Sequence, residues 1–208
     1  PVADYVMFLS GAAIGDSTGT RTTGFPTSPN QASSLHLFYP ATVAVEVAVT
    51  VTVLTLPTPS NLVFWALGPD LIDASGNSIA LPHFGIQHFD PHPNGRAVNW
   101  GGYNVNTGSE LTGSTSSLPS ATNNPNTRDY NWVVNRAYRY RIWTPSPGVW
   151  RGEITDTVTS VTTVVRDLSA PGATQLRGAI LFTECFNTCQ TQVAARWTNL
   201  QFKLANTT

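Results

Sequence analysis

Between residues 43 and 56 the chain reads VAVEVAVTVTVLTL, with valine at 43, 45, 47, 49, 51 and 53 and Ala, Glu or Thr between them. Period-two alternation of this length predicts a strand with one face in the core. β-branched Val and Thr suit a pleated, half-buried surface. Leu54 and Leu56 shift the apolar residues to the even phase. A bulge near Val53 would account for this, because one extra residue re-aims every side chain after it.

The rest of the chain repeats the theme in shorter runs. Strands are expected at 4–10, at 35–39 up to Pro40, at 62–67 (LVFWAL), 83–88 (HFGIQH) and 97–104 (AVNWGGYN). Further strands are expected at 137–144, 149–155, 161–168, 177–184 and 193–204. Asn94-Gly95 is a strong hairpin signal between two of them, and Gly101-Gly102 suggests a bulge or the close approach of a ligand. Residues 11–34 and 106–131 are long polar stretches, of the kind that bind something or stay loosely ordered. No amphipathic helix pattern, internal repeat or composition shift appears. About ten strands at this spacing predict an all-β sandwich or barrel, with residues 1–208 as a single domain.

Charge narrows the functional classes. Only 11% of the residues are charged, the net charge is −1 and lysine occurs once, as Lys203. Without a basic stripe, no nucleic acid partner is expected. No apolar run approaches the roughly 18 residues that cross a bilayer, so no membrane span is expected. The chain opens on Pro1 without a signal peptide, which reads as a mature, processed chain or a recombinant one. Cys185 and Cys189 are its only cysteines. Their spacing allows a small disulfide loop, which fits a secreted, extracellular protein; two buried thiols are the alternative.

Three segments resemble, in order, a family of secreted bacterial proteins of unknown function. They are HFGIQH with AVNWGGY at 83–88 and 97–103, YNWVVNRAYRYRIWTPSPGVWRGEITD at 130–156, and LFTECFNTC through RWTNL at 181–200. The resemblance covers roughly residues 60–200 and leaves 1–60 unmatched. It implies export and an antiparallel two-sheet sandwich of concanavalin A-like, jelly-roll type, and no established reaction. Its members sometimes accompany polysaccharide-handling genes, which implies a glycan or polysaccharide partner.

Candidate chemistry is sparse. In YRYRIW, Tyr138 and Tyr140 would face one side and Arg139 and Arg141 the other. These arginines could stack on a sugar ring or pair with a carboxylate, or cover the sheet with their stems. Trp100, followed by two glycines and Tyr103, is the expected exposed aromatic platform, and Trp132 the next; sheet packing is the alternative for each. Gln87 is a further ligand-binding candidate. His88, Asp90 and His92 would share one face of an extended segment, as divalent-metal ligands do, but Pro91 and Pro93 favour a turn and no metal or other cofactor is expected. Glu153 and Asp156, three apart, fall on opposite strand faces, unlike the carboxyl pair of a glycosidase. His88 and Glu184 are the catalytic candidates. A binding role is thus expected ahead of an enzymatic one. The functional expectation is polysaccharide or cell-surface glycan binding. The alternatives are a self-assembling extracellular subunit, completed by a donated strand at 4–10, and a glycan-active hydrolase or lyase.

Overall fold

The computed structural model describes residues 5–9, 14–15, 21–22, 32–57, 62–186 and 193–205. Its strands are β1 (Tyr5–Leu9), β2 (Ile14–Gly15), β3 (Arg21–Thr22), β4 (Ala32–Ala44), β5 (Glu46–Thr55), β6 (Val63–Ile72) and β7 (Ser78–His88). They continue with β8 (Arg96–Asn104), β9 (Thr127–Asp129), β10 (Ala137–Ser146), β11 (Val149–Asp156), β12 (Val161–Ser169), β13 (Gln175–Phe186) and β14 (Val193–Lys203). Apart from the small β2–β3 pair they form two six-stranded antiparallel sheets. The first sheet runs β1-β14-β5-β10-β11-β12 and the second β4-β13-β6-β7-β8-β9. The chain passes between sheets at β4–β5, β5–β6, β9–β10, β12–β13 and β13–β14. This is an antiparallel two-sheet sandwich: of the sandwich and barrel that the strand spacing allows, it is the one the family resemblance implies.

The valine run behaves as its period requires, with one correction. Val47, Val49, Val51 and Val53 are all buried in the core. The strand does not begin at 43, however. The backbone bends at Val45, and Val43 and Ala44 end β4 in the opposite sheet. Pro40 does not stop β4 either; it lies on an edge strand, where a missing N–H costs no ladder bond. The bulge stands where the phase change put it. Val53 and Thr55 pair with successive residues of β14, leaving Leu54 unmatched.

Opposite the valines, Trp65, Leu67, Phe84, Ile86, Val98 and Trp100 fill the core from the second sheet. A single hydroxyl ties the layers together. Tyr140 Oη of β10 accepts a hydrogen bond from the Ile86 backbone N–H (2.9 Å) and donates to the Trp65 carbonyl (3.2 Å). Burial holds this hydroxyl well above its ordinary pKa, so it keeps the proton it donates.

Other expectations shift. β6 runs past the expected 62–67, through Gly68-Pro69 to Ile72, and the turn after it starts at Asp73, whose carboxylate accepts from the Ser75 and Asn77 N–H groups. Gly101-Gly102 is neither a bulge nor a gap for a ligand. The β7–β8 register runs through it unbroken, and a Cβ on Gly102 would lie 2.5 Å from Pro82 Cα. Within the run at 4–10, Tyr5–Leu9 form β1 and pair inside the chain, lying against β14 with Tyr5 opposite Trp197. Cys189 lies outside the described residues, while Cys185 is buried at the end of β13.

Candidate functional site

Side chains alternate across a sheet, so each strand that buries Trp65, Leu181 or Phe84 sends its neighbours to the outer face. On the second sheet these outward residues are unusually apolar. His36 (β4), Phe182 (β13), Phe64 (β6), His83 (β7) and Tyr103 (β8) form an unbroken chain of rings across five adjacent strands. Their centroids are 5.3 Å apart for His36–Phe182, 5.7 Å for Phe182–Phe64, 5.7 Å for Phe64–His83 and 6.1 Å for His83–Tyr103. Tyr103 is 48% exposed, whereas Phe64 is buried.

Register places the polar groups beside this stripe. One row across the sheet reads Glu184, Phe64, Gln87, Ala97. Glu184 and Gln87 therefore flank Phe64, two strand spacings or about 10 Å apart at Cα. The next outward row reads Phe182, Ala66, Gly85, Asn99, Thr127. Ala66 and Gly85 are buried, and Gly85 is a glycine because a Cβ there would meet the Trp65 carbonyl oxygen of the neighbouring strand. A cavity of about 480 Å³ lies over this face, lined by the Phe64, Phe182 and Tyr103 rings and by Gln87, Asn99, His92 and Glu184. The long polar segment after β8 folds back to wall it, supplying Thr122 and Asn124. That segment is held in place by Arg166, whose Nη1 donates to Pro125 O and Asn126 Oδ1.

The polar groups are not solvated bystanders. His92 is 5% exposed and its Nε2 donates to Gln87 Oε1 over 3.2 Å, which leaves Nδ1 a buried acceptor without a protein partner. Asn99, 6% exposed, gives its Nδ2 to Thr127 Oγ1 (2.8 Å), and its Oδ1 is likewise unpartnered. Buried polar atoms are nearly always paired; both of these belong to residues that line the cavity. Burial lowers the His83 imidazole to about 4 and lowers His92 as well. Burial also raises the Glu184 carboxyl above its ordinary range.

The sequence candidates divide between this site and the rest of the fold. Gln87, Tyr103, His92 and Glu184 meet in the cavity. Trp100 and Trp132 are not exposed platforms, because both are fully buried. Trp100 stands edge-on to Phe84 at 5.5 Å and donates to Trp150 O. Trp132 packs against Trp65 at 5.6 Å and donates Nε1–H to the Gln87 carbonyl (3.0 Å), so it positions Gln87 from behind. Arg139 and Arg141 do face outward, but from the first sheet. Arg139 bonds Gln201, while Arg141 pairs with Glu46 (2.7 Å) and Glu153 (3.2 Å) and lies over Trp143. Asp156 is likewise occupied, by Arg136 at 2.9 Å. His88, Asp90 and His92 do not converge. His88 Nδ1 bonds Gly95 O within its own hairpin, and Asp90 is exposed. Among the described residues no group of three or more His, Cys, Asp or Glu side chains is placed to hold a metal.

Sequence reading missed His36, Phe182, Asn99 and the Phe64 floor.

No family model matches the chain, and no curated protein matches it. Solved structures similar to it include peanut lectin with a bound nonamer peptide, at 9% identity and a TM-score of 0.47, covering 98% of this chain and 100% of that one. Alginate lyase Aly36B is similar at 11% identity and a TM-score of 0.47, covering 99% and 82%. Scytalido-glutamic peptidase with a peptide-based transition-state analogue is similar at 10% identity and a TM-score of 0.42, covering 83% and 71%. Such likeness reaches only the sandwich, and a sandwich that serves a lectin, a lyase and a peptidase selects none of their roles.

Proposed function

We propose that this chain is a glycan-binding β-sandwich that holds a saccharide on the outer face of its second sheet. One observation carries the reading: a ring stripe crossing five strands beside a polar-walled cavity. Sugars present apolar C–H faces and hydroxyl edges, and binding sites of this kind join aromatic surface to a few fixed polar groups. Tyr103 supplies the open ring, and Gln87, Asn99 and Glu184 the hydroxyl partners. Glu184 is the only carboxylic side chain lining the cavity among the described residues. Glycoside hydrolysis ordinarily uses a pair of carboxyl groups, so binding without turnover is preferred.

In this reading the 208 residues form one secreted module, and Cys185 is bridged to Cys189; alkylation with and without prior reduction, read by mass spectrometry, tests the bridge. The functional test is depletion of the protein from solution by a panel of soluble and insoluble polysaccharides, with products sought by mass spectrometry in the same tubes. Depletion that Tyr103→Ala weakens without unfolding the protein supports binding. New products would make Glu184 the first catalytic target instead. Absence of depletion throughout the panel refutes the reading.

Assembly is the second reading, favoured by Phe38 and Leu81, which stand 73% and 52% exposed. Concentration-dependent size-exclusion chromatography and electron microscopy decide it; a monomer at every concentration refutes it.

A further inference from the structure

Resting on the glycan-binding reading, we infer that the cavity selects uncharged sugar residues and rejects uronic acid and sulfated ones. The selection follows from what the wall can offer. Among the described residues lining the cavity there is no lysine or arginine, and the only ionisable acid is Glu184. The two imidazoles, His83 and His92, are neutral near pH 7 because burial lowers both. No cation among the described lining residues is therefore placed to pair with a ligand carboxylate or sulfate, and such groups are only accommodated away from water when paired.

Hydrogen-bond polarity points the same way. Glu184 presents carboxyl oxygens, which accept when ionised. A sugar hydroxyl donates to them; an ionised carboxylate or sulfate only accepts. An anionic residue would leave Glu184 unmatched and would face it across a partly buried space. At a few ångströms and an intermediate dielectric that repulsion corresponds to a loss on the order of a hundredfold in affinity.

The test uses polymer pairs matched in backbone and differing in charge: fully methyl-esterified polygalacturonate against polygalacturonate, and hydroxyethyl cellulose against carboxymethyl cellulose. Affinity for each is measured at low ionic strength by calorimetry and depletion, with chitosan as a cationic arm. The expected result is tighter binding of the neutral member, by about tenfold or more. Glu184→Gln should shrink the neutral-to-anionic ratio, with thermal melting showing that the variant is folded. Asn99→Leu, which removes the orphaned acceptor, should weaken the neutral ligand by about tenfold. Equal or tighter binding of the anionic member overturns the inference and leaves glycan binding standing. Binding of chitosan alone overturns it too. Failure of every polymer to bind overturns the glycan-binding reading, and this inference with it.

Discussion

Replacing Tyr140 by phenylalanine removes one oxygen and keeps the ring, which packs edge-on to Phe84 (5.3 Å) and Trp197 (6.1 Å). What disappears is the bridge from the Ile86 N–H to the Trp65 carbonyl. Both are main-chain groups of buried residues. A buried group that loses its partner costs about 1–3 kcal/mol. The Ile86 N–H, donor to the shorter bond, incurs most of that; the Trp65 carbonyl bond is longer and its loss is partly offset by no longer burying a hydroxyl. The expected net loss is about 2 kcal/mol, or about 4–8 °C in Tm for a chain of this size. Urea unfolding followed by tryptophan fluorescence measures it. Because Ile86 precedes Gln87 in β7, the variant should also weaken glycan binding at temperatures where it remains folded. A stability change below about 0.5 kcal/mol would refute the reasoning, since it would mean that the two main-chain groups find partners without the hydroxyl.

Three further outcomes are expected. Gly152→Ala places a Cβ 2.9 Å from both Phe84 Cε2 and Trp100 Cγ, an overpacking that should cost about 1–3 kcal/mol in chemical denaturation. Arg166→Leu removes the guanidinium that holds Pro125 O and Asn126 Oδ1; loosening of the 106–126 segment should appear as faster hydrogen exchange there, and unchanged exchange would refute its pinning role. The third concerns acid. His83 titrates at about 4 when folded against 6.5 when unfolded, so the unfolded chain binds more protons in between. Stability from this group is complete above pH 6.5 and is lost as pH falls towards 4, by up to about 3 kcal/mol. His83→Gln should flatten that part of the stability–pH curve; a curve identical to that of the parent protein would count against the buried neutral imidazole.

Much of the sandwich could be read from residue period alone. Valines 47 to 53, the unmatched Leu54 and the inward tyrosines with outward arginines of β10 all follow from alternation. Alternation does not say where a strand changes sheets, so the bend at Val45 passed unnoticed inside an unbroken Val-Ala-Val pattern. Nor does it say which face is the core. Trp100 beside two glycines reads as an open platform, yet its partner across the ladder is Phe84, which is fully buried, so the ring turns inward. Gln87 and Glu184 were recognisable one by one. Their meeting depends on Phe64, which pairs with both from a strand remote in sequence from β13, and no local pattern encodes that register.

The two pairings at β4–β13 and β5–β14 join strands near one end of the described chain to strands near the other. Contacts so distant in sequence close late, because the loop entropy is lost before the contacts repay it. Phe182, Glu184 and Phe186 of the cavity lie on β13, and β13 is flanked by β4 and β6. During synthesis, then, β6 to β8 can assemble their hairpins while the ligand face is still missing a wall. The cavity is complete only when β13 inserts between two strands made much earlier, so its formation belongs to the late steps of folding.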